Sequence, residues 1–358
     1  MEFIIQDALK NSETSMFRGV PIGQACIKVV GIGGAGCNAA NWLYKKGVKG
    51  AEIVVSNTDK QHLDMMEVPQ KLLLGKSLTR GLGCGGYLEK GREATHESMQ
   101  EVKEMLRGSD MVFITAGMGG GTGTGGASVV AQVARDAGCI VIGVVTMPFS
   151  IERARIDKAE YGLQQLRQVS DSVIVIDNNR LVSLAGNLPV EQAFAVANEL
   201  MSTMIKGIVE TIAVPCLVNL DYADVKAIMT QGGVCAIGVG ESDTENRVKE
   251  AVKRALSNPL LDISYEGASG ALINICGGDD LTLDEVNKIG ETVTQALDPD
   301  ANVIWGASVS PGMRGKLRVM TIIAGVSSPY ILGKADYRQP IKSAVKFTTE
   351  ELGLDFVR

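Results

Sequence analysis

The sequence predicts an α/β protein, in which helices cover a mostly parallel sheet and a second, smaller domain follows. Two observations carry this prediction. Short apolar strands alternate with helical segments from Cys26 to about Leu188, a pattern typical of parallel sheets with helices on both faces. Two glycine-rich segments follow predicted strands, and ligands of such sheets bind beyond the carboxyl ends of the strands. The length of 358 residues is enough for two domains.

The individual elements follow from the apolar pattern. A long helix is predicted from Pro189 to about Ile212, because apolar residues recur there every three or four positions, and Pro215 ends it. Strands of the first domain are predicted at 27–30, 53–56, 111–115, 140–146 and 172–176. The second domain is expected to contain strands at 233–240, 270–277, 302–309 and 316–324, and helices at 245–256 and 283–297. The expected divisions are an N-terminal extension (1–24), the sheet domain (25–188), a central helix (189–214), the second domain (215–325) and a flexible tail (326–358).

Composition argues against several classes of protein. The net charge is −6 and no basic block stands out, so nucleic acid is not expected as a partner. No apolar stretch reaches 18 residues and the start lacks a basic region, so neither direct membrane insertion nor a signal peptide is expected. Seven scattered cysteines without a C-x-x-C pair are typical of reduced cytoplasmic thiols. With His62 and His96 as its two histidines, the chain predicts no metal site and no histidine-based triad.

The most informative segment is the glycine run at 116–127, which reads AGMGGGTGTGGA. It lies between the predicted strand at 111–115 and an apolar helical segment at 127–134. Unshielded backbone N–H groups and a helix N-terminus together bind phosphate, and Thr122 and Thr124 add hydroxyl groups. A flexible linker is the alternative, but linkers do not join a buried strand to an apolar helix. The run also lacks the lysine of a Walker P-loop.

A second glycine segment, GIGGAG at 31–36, follows the first predicted strand and matches the dinucleotide fingerprint. On its own, this match favours the dinucleotide site of an NAD(P)-dependent oxidoreductase about as strongly as a site for any other nucleotide. However, the acid that would bind the ribose is expected about 20 residues further on, and Asp59 comes late for that role. Two glycine-rich anion loops in one domain indicate several phosphates bound from both sides.

The 116–127 run resembles the glycine signature of the tubulin/FtsZ family, and five further segments agree with that family in order. Residues 31–38, 57–59 and 78–86 resemble its first three phosphate loops, 145–152 resembles the loop around the ribose, and 219–224 resembles its catalytic loop. The segments E-R-A-R and N-L-D-Y-A-D are similar to the corresponding segments of archaeal members of the family. The resemblance runs from about Ile27 to about Gly325. It implies a Rossmann-like GTPase domain, a long central helix and a smaller α+β domain.

The resemblance also implies a site for GTP or GDP. Phe194 would stack on the guanine, and Asn178 and Asn198 would form hydrogen bonds with it. From the residues alone, Phe194 could instead belong to the apolar core, and Asn198 could be a solvent-exposed helix residue. Arg155 comes one residue early relative to the bacterial pattern, which leaves its contact with phosphate open. Mg²⁺ is expected to be held mainly by phosphate oxygens and water. The implied binding residues are Gly33, Gly34, Ala35, Asn38, Asn57, Asp59, Gly83, Cys84, Gly85, Gly117, Met118, Gly119, Gly120, Gly121, Thr122, Gly123, Thr124, Gly125, Glu152, Arg155, Asn178, Phe194 and Asn198.

Catalysis would depend on Asn219, Asp221 and Asp224. A carboxylate near the terminal phosphate can orient or deprotonate the attacking water. From the residues alone, a helix N-cap and a first-turn acid are the favoured interpretation of these two carboxylates. In the tubulin/FtsZ family the next subunit of a filament supplies these acids, so the resemblance implies that hydrolysis waits for assembly.

The family further implies a cytoplasmic protein that polymerises with itself at the division site and forms the cell-division ring. A filament for cell shape or plasmid segregation is the alternative. The tail Thr348–Arg358 carries Leu352, Leu354, Phe356 and Val357 among polar residues, which is typical of a segment that folds onto a partner. A membrane-tethering adaptor is the expected partner.

Overall fold

The computed structural model describes residues 25–213, 217–218, 220–232, 235–257, 265 and 267–326. Within these ranges ten strands form two sheets. The first sheet contains β1 Ile27–Ile32, β2 Ala51–Asn57, β3 Gln70–Leu73, β4 Met111–Gly117, β5 Ile140–Met147 and β6 Ser172–Asp177. The second contains β7 Cys235–Ser242, β8 Gly270–Gly277, β9 Asn302–Val309 and β10 Leu317–Ala324. The predicted extension at 1–24 and the tail after Val326 lie outside the described residues.

Helices connect most of the strands. Those of the first domain are α1 Gly33–Lys46, α2 Lys60–Asp64, α3 Lys76–Thr79, α4 Leu88–Glu97, α5 Met99–Leu106, α6 Thr122–Asp136, α7 Ala154–Val169 and α8 Asn178–Ala185. They are followed by α9 Val190–Ala213, α10 Tyr222–Gly232, α11 Arg247–Leu256 and α12 Leu283–Thr294. Short 3₁₀ turns occur at Ser150–Glu152 and Pro311–Met313. None of these helices is both long enough and apolar enough to span a bilayer.

The first sheet is fully parallel, with the strand order β3-β2-β1-β4-β5-β6. This is the Rossmann order, and its direction reverses between β1 and β4. β1 leads directly into α1. β4 leads into α6 through a four-residue loop. Open sheets of this kind bind ligands at the reversal point, so the topology puts the two glycine segments side by side at a ligand crevice.

The second sheet is mixed, in the order β7-β10-β8-β9. β10 pairs antiparallel with β7 and β8, whereas β8 and β9 are parallel. The predicted α/β class with a smaller α+β second domain is therefore confirmed.

The central helix α9 joins the two sheets through one shared core. Its buried residues Met201, Met204 and Ile208 belong to the same apolar cluster as Val29 of β1 and Ile322 of β10. The predicted three- and four-residue spacing of apolar positions lets α9 bury one side from Ala197 to Ala213, whereas Val190 and Phe194 near its start are exposed.

Two features of the first domain differ from the sequence prediction. The helix expected from residue 127 begins at Thr122, inside the glycine run, because these glycines let α6 pack directly on α4. A Cβ at Gly125 would lie 2.1 Å from the carbonyl oxygen of Leu88. The run is therefore a four-residue loop, 118–121, followed by a glycine-rich helical turn. The edge strand β3 was missed, because its four residues are at most half buried and carry no apolar alternation.

Candidate nucleotide site

A cavity of about 590 Å³ opens at the carboxyl ends of β1, β2, β4, β5 and β6. Its walls come from the glycine loop, the starts of α1 and α6, and the segments after β2 and β5. The predicted residues that line it are Gly34, Ala35, Asn57, Asp59, Gly83, Cys84, Gly85, Gly117, Met118, Gly120, Gly121, Thr122, Gly123, Glu152, Arg155, Asn178 and Phe194. The cavity thus collects residues that are up to 160 positions apart in the sequence.

Six predicted residues lie off the cavity wall, namely Gly33, Asn38, Gly119, Thr124, Gly125 and Asn198. Several of them contact the residues that form the cavity wall. The hydroxyl of Thr124 accepts a hydrogen bond of 2.8 Å from the N–H of Gly119 and so braces the loop from behind. Gly33 lies against the first turn of α6, where an added Cβ would be 2.8 Å from the nitrogen of Gly123. The starts of α1 and α6 therefore lie in contact.

A small polar cluster at the cavity wall joins the segment after β2, the loop after α3 and the start of α6. The hydroxyl groups of Thr58 and Thr122 are 2.6 Å apart, and the Cys84 thiol lies 3.3 Å from the former and 3.6 Å from the latter. All three side chains are buried. A bridge between Asp59 and Leu82 adds a backbone link between the segment after β2 and the loop after α3. The relative positions of these loops are therefore fixed by hydrogen bonds.

The opposite end of the cavity is aromatic. The rings of Phe149 and Phe194 meet edge to face, with centroids 5.9 Å apart and an interplanar angle of 73°. Asn178, which is buried, lines the wall near them. Asn179 accepts hydrogen bonds from the backbone and hydroxyl of Ser150, at 2.9 and 2.8 Å, and so ties the 3₁₀ turn to the end of β6.

Glu152 and Arg155 both line the cavity and form an ion pair with each other. Glu152 accepts a 2.9 Å bond from the N–H of Phe149 and forms a 2.7 Å ion pair with Arg155. The guanidinium of Arg155 is largely exposed and is the one Lys or Arg side chain among the described residues on the cavity wall. The early position of Arg155 in the motif therefore still brings it to the cavity.

Sequence reasoning missed eight lining residues: Thr58, His62, Leu82, Gly86, Thr146, Met147, Pro148 and Phe149. Most of them lie inside or beside motifs that were recognised, so motif membership was the available signal. His62 is different, because it lies on the short helix α2 and reaches the cavity only through the fold. Its ring nitrogens contact Asn57 at 3.3 Å and Asn38 at 3.1 Å.

Asp221 and Asp224 lie away from this cavity, at the start of α10. Each carboxylate accepts a hydrogen bond from the backbone N–H of the other residue, at 2.7 and 3.1 Å. The Tyr222 hydroxyl donates to the carbonyl oxygen of Asp110 at 2.7 Å, just before β4 begins. Burial, together with the charge of Asp110, raises the pKa of Tyr222, so its hydroxyl stays protonated. Asn219 lies outside the described residues.

The two groups of predicted residues therefore occupy opposite ends of the same sheet. The cavity includes Gly117 at the carboxyl end of β4, whereas Tyr222 contacts the residue before its amino end. Seven residues of strand at about 3.3 Å each separate these ends by roughly 20 Å. Side chains of Asp221 and Asp224 are too short to span that distance within one subunit.

Comparison with known proteins agrees with this architecture. A model of the GTPase domain of the tubulin/FtsZ family matches residues 26–186, and a model of the C-terminal domain of the FtsZ family matches residues 233–327. Cell division protein FtsZ 2 of Methanocaldococcus jannaschii is 55% identical over 334 residues, covering 92% of this chain and 88% of the relative. Cell division protein FtsZ 2 of Halobacterium salinarum is 50% identical over 349 residues, covering 96% and 89%. A solved structure titled as an empty FtsZ dimer from M. jannaschii superimposes with a TM-score of 0.78 at 45% identity, covering 89% of this chain and 91% of that one.

The parallel sheet, the glycine-loop cavity and the second sheet define a GTPase of the filament-forming tubulin/FtsZ class. Within that class, the match to both domain models and the identities above show that the chain belongs to the FtsZ family. The protein therefore binds GTP and GDP, hydrolyses GTP and assembles with itself. The oxidoreductase alternative is wrong, since the GIGGAG segment belongs to this GTPase domain.

Proposed function

We propose that GTP is hydrolysed at the junction between two subunits of a head-to-tail filament. One subunit provides the glycine-loop cavity, and the next provides Asp221 and Asp224, with Asn219 beside them. The observation that carries this proposal is the separation of cavity and acids along β4. A heterologous contact that repeats along one direction produces a filament, and each contact would complete one active site.

Within the cavity, the triphosphate is proposed to lie between the starts of α1 and α6. The N–H groups of Met118 and Gly119 already donate to Thr146 and Thr124, so those of Gly120 and Gly121 would bind its oxygens, favoured by the helix dipoles. Arg155 would add a positive charge. The guanine would lie at the aromatic end, stacked on Phe194 and bonded by Asn178 and by Asn198, one turn after Phe194 on α9.

The attacking water would be oriented by the neighbour's acids. Each carboxylate uses one oxygen as a cap for the other residue's backbone, which leaves its second oxygen available for the water. Capping and catalysis are therefore compatible in the same two residues. Because the acids arrive only with the next subunit, a cavity without a neighbour would bind GTP and hydrolyse it slowly.

Magnesium fits this site as a partner of the phosphates. Among the described residues, no group of three His, Cys, Asp or Glu side chains could hold a metal ion, and the Thr58 and Thr122 hydroxyls already bond each other. Mg²⁺ would be held chiefly by phosphate oxygens and water, while Asp59 and Glu152 are the carboxylates among the described residues on the wall. The ion would neutralise phosphate charge.

In the cell, the filament is proposed to form the division ring in the cytoplasm. The support is the name of the relatives that are about half identical, which are cell division proteins. The tail Thr348–Arg358 is proposed to bind a membrane-tethering adaptor. Localisation in dividing cells would separate this role from a filament for cell shape or plasmid segregation, which would not concentrate at the division plane.

The direct biochemical test is a dilution series. Phosphate release per subunit should rise with protein concentration above a threshold, in parallel with light scattering after GTP addition. A rate per subunit that stays constant down to the lowest concentration would contradict a site shared between subunits.

A further inference from the structure

Two asparagines and one histidine form a hydrogen-bonded chain at the edge of the cavity. Asn38 lies on α1, Asn57 ends β2 and His62 lies on α2. Asn57 Nδ2 is 3.3 Å from His62 Nδ1, and His62 Nε2 is 3.1 Å from Asn38 Oδ1. These bonds therefore link α1, which begins within the glycine segment at 31–36, to the segment that carries Thr58 and Asp59.

The orientation of Asn57 is fixed by its other contacts. Its Oδ1 accepts hydrogen bonds from the backbone N–H of Thr58 at 2.9 Å and of Asp59 at 3.3 Å. Because N–H groups need an acceptor, this end of the amide is the oxygen, and the NH₂ end faces His62. Asn57 is buried, so turning the amide over would break both backbone bonds and leave their donors unpaired.

The histidine must then accept at Nδ1. A neutral imidazole has one N–H and one acceptor nitrogen, so the bond from Asn57 requires the form with the proton on Nε2. That N–H donates to Asn38 Oδ1, and both contacts are satisfied together. A protonated imidazole carries hydrogens on both nitrogens, so its Nδ1–H would point at the NH₂ group of Asn57. Two donors would then face each other across a contact that Asn57 cannot relieve.

We propose that His62 is a positioning residue of the nucleotide site, and that its neutral form holds Asn57, and with it Thr58 and Asp59, in the arrangement that binds GTP. Protonation of His62 opens this link and weakens nucleotide binding. Histidine is the side chain that changes charge between about pH 5 and 8, so a pH series across that range tests this link. The inference rests on the proposed use of this cavity for GTP.

The charged groups around His62 do not offer a competing partner. Asp59 accepts a 3.1 Å bond from the backbone N–H of His62 as the cap of α2. Lys60 and Asp64 on α2 pair with each other at 2.7 Å, and Lys45 of α1 pairs with Glu67 at 2.7 Å. When nucleotide is bound, its phosphates are the remaining charges, and their attraction for a histidine cation acts against the proposed effect. Whether GTP affinity falls or rises in acid therefore decides between loss of the link to Asn57 and attraction of the histidine cation by the phosphates.

The test compares GTP affinity between pH 5.5 and 7.5 in the full chain and in His62→Gln, His62→Ala and His96→Gln. The oxygen and nitrogen of a glutamine amide can accept from Asn57 and donate to Asn38, but the amide does not titrate. His62→Ala should lose about tenfold in affinity at pH 7.5, for two lost hydrogen bonds, and His62→Gln should recover most of that loss. From pH 7.5 to 5.5, the unmodified protein should lose at least about threefold more affinity than His62→Gln does.

The controls separate the possible failures. Phosphate groups titrate in the same pH range, but they do so equally with every variant, and His96→Gln should behave as the unmodified protein. Equal pH profiles for the unmodified protein and His62→Gln, or a relative gain of affinity in acid, would overturn the inference and leave the GTP site intact. If the unmodified protein bound no GTP at pH 7.5, the proposed site would be refuted and the inference with it.

Discussion

The Tyr222 hydroxyl donates a 2.7 Å hydrogen bond to the carbonyl oxygen of Asp110, one residue before β4 begins. This contact holds the start of α10, with Asp221 and Asp224, against the amino end of the strand. The other end of β4 leads into the glycine loop. One strand therefore separates the two halves of the proposed active site, and the subunit presents each half on a different end.

The glycine loop gives the first prediction, from a matched pair of substitutions. A Cβ at Gly121 would lie 2.6 Å from the Cβ of Cys84 and 3.0 Å from the carbonyl oxygen of Tyr87, whereas one at Gly120 would meet nothing within 4 Å. Gly121→Val should therefore displace the loop and abolish GTP binding, and Gly120→Ala should keep the protein folded and retain binding within about tenfold. Equilibrium binding of a fluorescent GTP analogue measures both. Normal binding by folded Gly121→Val would show that the phosphates lie elsewhere.

The second prediction concerns base recognition. Asn178→Ala or Asn198→Ala should weaken GTP more than ATP, because a buried base edge would lose a partner, at a cost of about 1–3 kcal/mol per contact. The effect should be larger for Asn178, since it lines the cavity and Asn198 does not. Competition binding with both nucleotides gives the preference directly. An unchanged GTP/ATP ratio in both variants would remove these residues from the base pocket.

A half-buried ion-pair network in the second domain gives the third prediction. Arg247 bonds Glu285 through two nitrogens at 2.7 and 2.9 Å and Asp280 through a third at 2.6 Å. The Arg247 guanidinium holds the pKa of both carboxyl groups below the usual range. Arg247→Met should lower the free energy of unfolding at pH 7 by about 1–2 kcal/mol.

The pH dependence of that variant has a definite sign. A carboxyl group whose pKa is lower in the folded state stabilises the fold above its ordinary pKa, and this stabilisation is lost as the pH falls. Urea unfolding from pH 7 to pH 3 should therefore show a shallower loss in Arg247→Met than in the unmodified protein. Arg107→Met, which removes an exposed pair with Glu104, is the control and should change stability by less than about 0.5 kcal/mol. If the free energy of unfolding fell with pH equally steeply in the unmodified protein and in Arg247→Met, the network would not control stability in acid.

The fourth prediction concerns the tail, which lies outside the described residues. Deleting Thr348–Arg358 should leave GTP hydrolysis and filament formation intact, because the cavity and the acids lie within the two domains. Recruitment to the division plane should be lost with the adaptor contact. Sedimentation with GTP and imaging of a tagged chain test the two parts. A truncated protein that cannot polymerise alone would assign the tail to the filament instead.

Much of this architecture was predictable because strand periodicity and glycine clusters are local signals. The apolar runs at 111–115 and 140–146 became β4 and β5 with few changes at their ends. The start of α6 at Thr122 was not predictable, because it depends on close packing of Gly125 against α4. Glycine-rich composition indicates a loop until the neighbouring helix is known.

The site shows the same division between local and tertiary information. Motif matching found the glycine loops, but not His62, whose contact with Asn38 is made across two elements. It also could not show that Asp221 and the cavity lie at opposite ends of β4, since only the fold relates α10 to that strand. The sequence-based interpretation of Asp221 and Asp224 as a helix cap was geometrically correct, and it does not compete with the proposed catalytic role.

The last prediction separates capping from catalysis in the acids themselves. Asp224→Ala removes both the charge and the acceptor for the Asp221 N–H, whereas Asp224→Asn keeps an acceptor oxygen. Both variants should bind GTP and form filaments with little hydrolysis. Only Asp224→Ala should lose the hydrogen bond from the Asp221 N–H, which is worth about 0.5–1.5 kcal/mol. Phosphate release that survives in Asp224→Asn would assign the residue a capping role alone.

The most direct measurement of the shared site mixes two inactive proteins. Asp224→Ala keeps an intact cavity, and Gly121→Val keeps intact acids while being unable to bind GTP. At a mixed junction the cavity of the first protein meets the acids of the second, so phosphate release should partly recover when the two proteins are combined. A mixture that stays inactive although both proteins co-sediment in one filament would contradict a catalytic site shared between neighbouring subunits.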